Sequence, residues 1–170
     1  MLSLILFFLV LILFSIQTTL IPLVEFTGVT FDLALIVVVY CGIHVRGHGG
    51  ATMGLLLGFV QDCFSGGLLG ANTLSKSLLG FAFDRVKDKI MVEGVIPICF
   101  FIFFASLFDG LIIYWIHYAL LKSSSGEFVI TPVLGYGLYN ALLGPFLFHM
   151  MDAFKQRWLK NLLDKNATAL

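Results

Sequence analysis

Charge is what this sequence has least of. Only 12% of its 170 residues are Asp, Glu, Lys or Arg, whereas 59% are hydrophobic and the mean hydropathy is +1.02. A soluble domain carries about 25% charged residues, so a soluble fold is excluded and no soluble domain of useful size is left over. Proline is also scarce, with four against eighteen phenylalanines, and the alternating segments of about ten residues that mark a membrane barrel are missing. A helical bundle is the remaining way to satisfy the backbone in lipid. Cys41, Cys63 and Cys99 form no CxxC and have no histidine pair beside them, which excludes a disulfide framework and a zinc site and leaves small buried hydrophobes. Neither GxxxxGK[ST] nor GxGxxG occurs, nor do GxSG, GxGD or HExxH, so nucleotide hydrolysis and the common intramembrane protease chemistries have no motif here. The bases are too sparse for a nucleic-acid partner; they suit topology and anionic membrane lipid.

What is present is a series of apolar runs at about 2–24, 31–45, 50–64, 68–83, 94–121 and 131–152. The first is long enough for the ~20 residues a span needs. It lacks the basic n-region of a signal peptide and therefore reads as a retained helix. The reading is a single six-span transmembrane domain over 1–152, followed by a short basic tail, 153–170. Phe154, Trp158 and Leu162 fall on one face of that tail and Arg157 and Lys160 toward the other, which suits a short helix lying in the membrane surface. Pro145 predicts a kink in the last span, because it removes a backbone bond to Ala141.

The most unusual stretch runs from Gly47 to Phe83. Gly50, Gly54, Gly58 and Asp62 recur every four residues, which on a helix makes one stripe of small residues ending in a carboxylate. Such stripes let helix backbones approach closely in lipid, and that packing role is the default explanation for the glycines. After a glycine-rich turn containing Gly67 and Gly70, the residues Asn72, Lys76 and Gly80 repeat the spacing on a returning helix. Both arms are short, since fifteen residues reach only ~22 Å, so the hairpin either spans a thinned membrane or is partly re-entrant.

Ionisable groups inside such segments are costly and need partners. Lys76 lies near the middle of its span and Asp109 near the middle of the fifth, while Asp62 is roughly 8–10 Å away in depth, so Asp109 is the better-matched partner of Lys76. Asn140 stands at similar depth on the last span and is a candidate support. Asp32, following Thr30, sits where a carboxylate complements the positive end of a helix, and its capping role ranks above a binding one. His117 and His149 lie toward opposite faces, so no catalytic constellation is assembled.

Asp32-Leu33, Gly47, Gly54, Gly58, Asp62, the GGLLGAN turn and Gly80 together resemble the MreD family of rod shape-determining membrane proteins, whose central region has the same arrangement. The resemblance implies a non-enzymatic scaffold without cofactors in the bacterial inner membrane. It also implies work with MreC, the actin-like MreB, the RodA glycosyltransferase and its penicillin-binding transpeptidase in side-wall peptidoglycan synthesis. The implied fold is similar to the six-helix substrate-binding subunits of energy-coupling-factor transporters, which supply the alternative of a small-solute-binding subunit. Those subunits carry an alanine-xxx-alanine patch on the first helix, and the first span here has no alanine.

Taking the spans alternately, Arg46, Arg85, Lys87, Lys89 and the tail bases fall on one side and Lys122 on the other. Excess Lys and Arg marks the cytoplasmic side, so both termini are expected there. An alkaline phosphatase fused after Lys165 should accordingly be inactive in intact cells; an active fusion overturns this orientation.

Overall fold

The computed structural model describes residues 31–45, 47–65, 68–89, 92, 94–121 and 130–167. The expected span at 2–24 and the Gly67 position lie outside the described residues. Within them the chain is all-helical: α1 is Leu33–His44, α2 Gly49–Ser65, α3 Ala71–Val86, α4 Val95–Leu121 and α5 Ile130–Ala167, with a short 3-10 turn at Lys87–Lys89.

Local chemistry sets most of these limits. Asp32 is extended, with φ −126°, and its side chain accepts the Leu35 N–H, so α1 starts there and not earlier. Gly70 has φ +101°, a conformation that only glycine adopts without strain, and it turns the chain into α3. The sequence pattern placed that start near residue 68; it falls at Ala71 because the turn extends through Gly70. The last helix also differs from expectation. It runs 38 residues through Pro145 and past Asp152, so the tail continues α5 instead of forming a separate element. After Pro145 the sequence has neither proline nor glycine, and nothing in it stops the helix.

Among the described helices α2 and α3 make the tightest contact, and the glycine stripe is the reason. A Cβ added at Gly54 would lie 2.2 Å from the Lys76 carbonyl oxygen, one at Gly58 2.5 Å from that of Asn72, and one at Gly80 2.1 Å from that of Gly50. Backbone therefore rests on backbone over the whole crossing. α1 joins them where a Cβ on Gly50 would meet the Gly42 Cα at 2.6 Å, so three helices touch at glycines. α1 is apolar all round and almost entirely buried, as a central helix must be. Leu35, Ile36 and Val39 of α1 pack against Leu79, Ile102, Ala105 and Phe148 from α3, α4 and α5. α4 and α5 pack on each other along Phe103 to Gly137 and Ile102 to Gly144.

The distribution of polarity is inverted relative to a soluble protein. Buried residues include Asp32, Asp62, Lys76, Asp84, Asp109 and Asn140, while Leu56, Phe59, Leu74, Phe100, Phe108, Trp115, Leu142 and Phe146 are exposed. Among the described residues, Val95–Ile116 is long and apolar enough to cross a membrane, with a mean hydropathy of 2.3. Charge inside and large apolar side chains outside are the arrangement that lipid, not water, stabilises.

Because the crossing leaves no room at Gly54, Gly54→Val should lower the unfolding free energy of the detergent-solubilised protein by about 1–3 kcal/mol or more. Leu55→Val, one residue away on the exposed face, should be close to neutral in the same denaturation series.

Candidate functional site: a buried ionic cluster

Four helices converge on Lys76. From α3 its ammonium reaches Asp32 Oδ2 at the start of α1 at 2.8 Å, Asn72 Oδ1 one turn back at 3.1 Å, and Asp109 Oδ2 on α4 at 3.7 Å. Three acceptors thus surround a group with three protons, and Lys76 is fully buried. Tyr136 on α5 closes the ring, its hydroxyl lying 2.9 Å from Asp109 Oδ2 and 3.2 Å from Asp32 Oδ2. Ser75 bonds the other oxygen of Asp109. Gln61 on α2 donates to Asp32 Oδ2 at 3.2 Å.

The cluster includes the expected Lys76 and Asp109, but the closer carboxylate is Asp32. One oxygen of Asp32 caps α1 and the other holds Lys76, so capping and pairing are done by the same side chain. Counting depth from the ends of the spans missed this because α1 is only 12 residues long and its first turn lies level with Lys76. Asn140 contributes through Asp32 and not through Lys76: its Oδ1 accepts the buried Asp32 N–H at 2.8 Å, and its Nδ2 donates to Ser106 Oγ at 3.0 Å. Tyr136, Ser75 and Ser106 were not singled out in the sequence. Helical spacing offered a signal for two of them, since Tyr136 precedes Asn140 by four residues and Ser106 precedes Asp109 by three.

Asp62 stands apart from the ion pair, at the turn. Its carboxylate accepts from the backbone N–H groups of Gly70, Asn72 and Thr73 at 2.9 Å each, and from the side chains of Asn72 and Thr73 at 3.0 and 2.6 Å. It therefore caps α3 from the last turn of α2. Asp84 returns the arrangement at the other end of the hairpin, accepting the Gly50 and Ala51 N–H groups at 3.1 and 2.9 Å, with Lys87 at 3.3 Å. Each arm ends in an aspartate that caps the beginning of the other. Asp84 is the next step of the series Asn72, Lys76, Gly80, and the four-residue spacing is its signal in the sequence. Asn72 links the Asp62 site to the ion-pair cluster, donating to Asp62 and accepting from Lys76. Gly54 and Gly58 carry no chemistry; they bring α2 close enough for Gln61 and Asp62 to act.

A cluster of this kind cross-links helices. Its polar atoms are each other's partners; the unpaired buried side-chain acceptor among the described residues is Gln61 Oε1. Fold and cluster together define an integral membrane protein, a helical bundle with an apolar exterior fixed by an internal ion pair. The model of the family described as rod shape-determining protein MreD matches residues 1–157, and the chain belongs to that family. Membership gives it a role in rod shape determination. No curated protein and no solved structure matches it.

Removing one partner of a buried pair strands the other charge, so Lys76→Met should cost about 3–5 kcal/mol. In an SDS-titration unfolding assay, adding Asp32→Asn to Lys76→Met should recover more stability than adding Asp109→Asn, in keeping with the 2.8 and 3.7 Å separations.

Proposed function

We propose that this chain is a non-enzymatic scaffold of the bacterial cell-elongation machinery. It sits in the inner membrane as a single domain of six spans with both termini in the cytoplasm, binds MreC, and helps regulate side-wall peptidoglycan synthesis together with MreB, RodA and the penicillin-binding transpeptidase. The observation that carries this reading is the family match over residues 1–157. The interior supports it: Asp32, Lys76, Asp109, Asn140 and Asn72 are engaged with one another or with nearby side chains, which suits fixing helix positions more than turning over a substrate. In this reading Asp62 and Gly70 shape the turn, Gly54 and Gly58 the packing beneath it, and the surrounding bundle presents its apolar exterior to lipid and to partner helices.

The alternative, a small-solute-binding subunit similar to those of energy-coupling-factor transporters, requires polar groups free to receive a solute. The mutual bonding of the cluster weighs against it.

Affinity capture of the tagged full chain in mild detergent, followed by mass spectrometry, should enrich MreC and at least one wall-synthesis protein. Recovery of neither, or tight retention of a vitamin-like small molecule in their place, sinks the scaffold assignment.

A further inference from the structure

The ionic cluster has one more carboxylate than its ammonium can neutralise. Asp32 is 4% exposed, and Lys76 and Asp109 are 0% exposed. With all three ionised, the interior would hold an uncompensated negative charge, which is strongly unfavourable away from water. Among the described residues no other base is placed to offset it. Residues 1–30 contain neither Lys nor Arg, and Lys122 comes after the end of α4, well beyond Asp109. The remaining bases fall at or after the ends of α1 and α3 or beyond Asp152. Among the described residues, the remaining groups facing the cluster are neutral or separately satisfied: Gln61 from α2, Asn72 and Ser75 from α3, Ser106 from α4, and Tyr136 and Asn140 from α5. The charge of Asp62 is taken up by the N-terminus of α3.

The count of hydrogens available to these contacts points the same way. The Tyr136 hydroxyl has one hydrogen but lies within bonding distance of two carboxylate oxygens, Asp109 Oδ2 at 2.9 Å and Asp32 Oδ2 at 3.2 Å. Two ionised carboxylates leave one of those contacts without a hydrogen. Apart from Tyr136, Asp32 meets nitrogen donors that cannot accept: Leu35 N–H on Oδ1, and Lys76 Nζ and Gln61 Nε2 on the same Oδ2 that faces the hydroxyl, so that oxygen is already taken up as an acceptor. Asp109, by contrast, faces two hydroxyls, Ser75 and Tyr136, and a hydroxyl can accept. A hydrogen on Asp109 Oδ2 then completes every contact. The acid donates to the Tyr136 oxygen, Tyr136 donates to Asp32 Oδ2, Ser75 donates to Asp109 Oδ1, and Lys76 keeps its ion pair with Asp32.

We propose that the cluster is a single-proton site, in which Asp109 is a neutral carboxylic acid that passes a hydrogen bond through Tyr136 to the ionised Asp32–Lys76 pair. The bound species is one proton taken from water, and the cluster as a whole is uncharged. This holds whether or not the scaffold assignment is correct.

The test uses the full chain in phosphatidylcholine vesicles at neutral pH. Infrared difference spectroscopy of wild type against Asp109→Asn should show the carbonyl stretch of a protonated carboxyl, shifted by exchange into D2O and lost in the variant. Absence of that band in wild type, or its persistence in Asp109→Asn, overturns the proposal. Asparagine reproduces the acid's donor and acceptor, so Asp109→Asn should keep its folded yield within about twofold of wild type. A fall of roughly tenfold or more, as expected for breaking a buried ion pair, would show Asp109 to be ionised and also overturn it.

Discussion

The ammonium of Lys76 is the constraint on which the rest of this bundle depends. A buried charge of that kind must be met from several directions at once, and here the directions are different helices: Asp32 at the start of α1, Asn72 one turn earlier on α3, and Asp109 on α4. Tyr136 then brings in α5 by bonding both carboxylates. Between apolar helices in lipid there is little hydrophobic preference for one rotation over another, because the tails are as apolar as the side chains. The ion pair supplies the preference. It selects the rotation of each helix that points its polar residue inward, and the glycines make that selection possible by letting α2 and α3 close to backbone contact.

Reciprocity between the arms of the α2–α3 hairpin follows from the same economy of polar groups. Helix ends inside a membrane protein leave backbone N–H groups that water does not reach, and each must find an acceptor. Asp62 and Asp84 sit four residues beyond the glycines of their own stripes, so the spacing that packs the arms also delivers a carboxylate to the beginning of the neighbouring arm. Stripe and cap are one pattern read twice, once for shape and once for hydrogen bonding. The hairpin is consequently held at both ends as well as along its length.

How much of this the sequence revealed follows from the range of each interaction. The helices at 33–44 and 95–121 announce themselves through long apolar runs, and those at 49–65 and 71–86 through the four-residue spacing of glycines and polar residues on either side of a glycine-rich turn; the stripe Gly50, Gly54, Gly58, Asp62 is local by construction. Asp109 and Lys76 could be paired by counting turns because both lie near the middle of their segments. Asp32 could not, since its place depends on where the short α1 begins in space, which no local pattern encodes. Tyr136 was hidden for a different reason: a tyrosine in an apolar span is unremarked until a carboxylate is found opposite it. The extension of α5 beyond Asp152 was obscured by reading the change from apolar to charged composition as an end, although a membrane surface changes the solvent around a helix without interrupting its hydrogen bonds.

That uninterrupted α5 has a mechanical meaning. Tyr136 and Asn140, which hold the cluster, belong to the same continuous helix as Ala167, and from Pro145 onward the sequence has no further glycine or proline at which it could bend. At ~1.5 Å per residue the part beyond Pro145, as far as Ala167, is a lever about 33 Å long. The Tyr40 hydroxyl donates to Asp152 at 2.7 Å, tying the end of α1 to the lever part-way along and making a fulcrum. A load at the far end of such a rod meets no hinge before Pro145, so it is carried past the Tyr40 tie to the turn that follows Asn140, at the edge of the charged centre of the bundle.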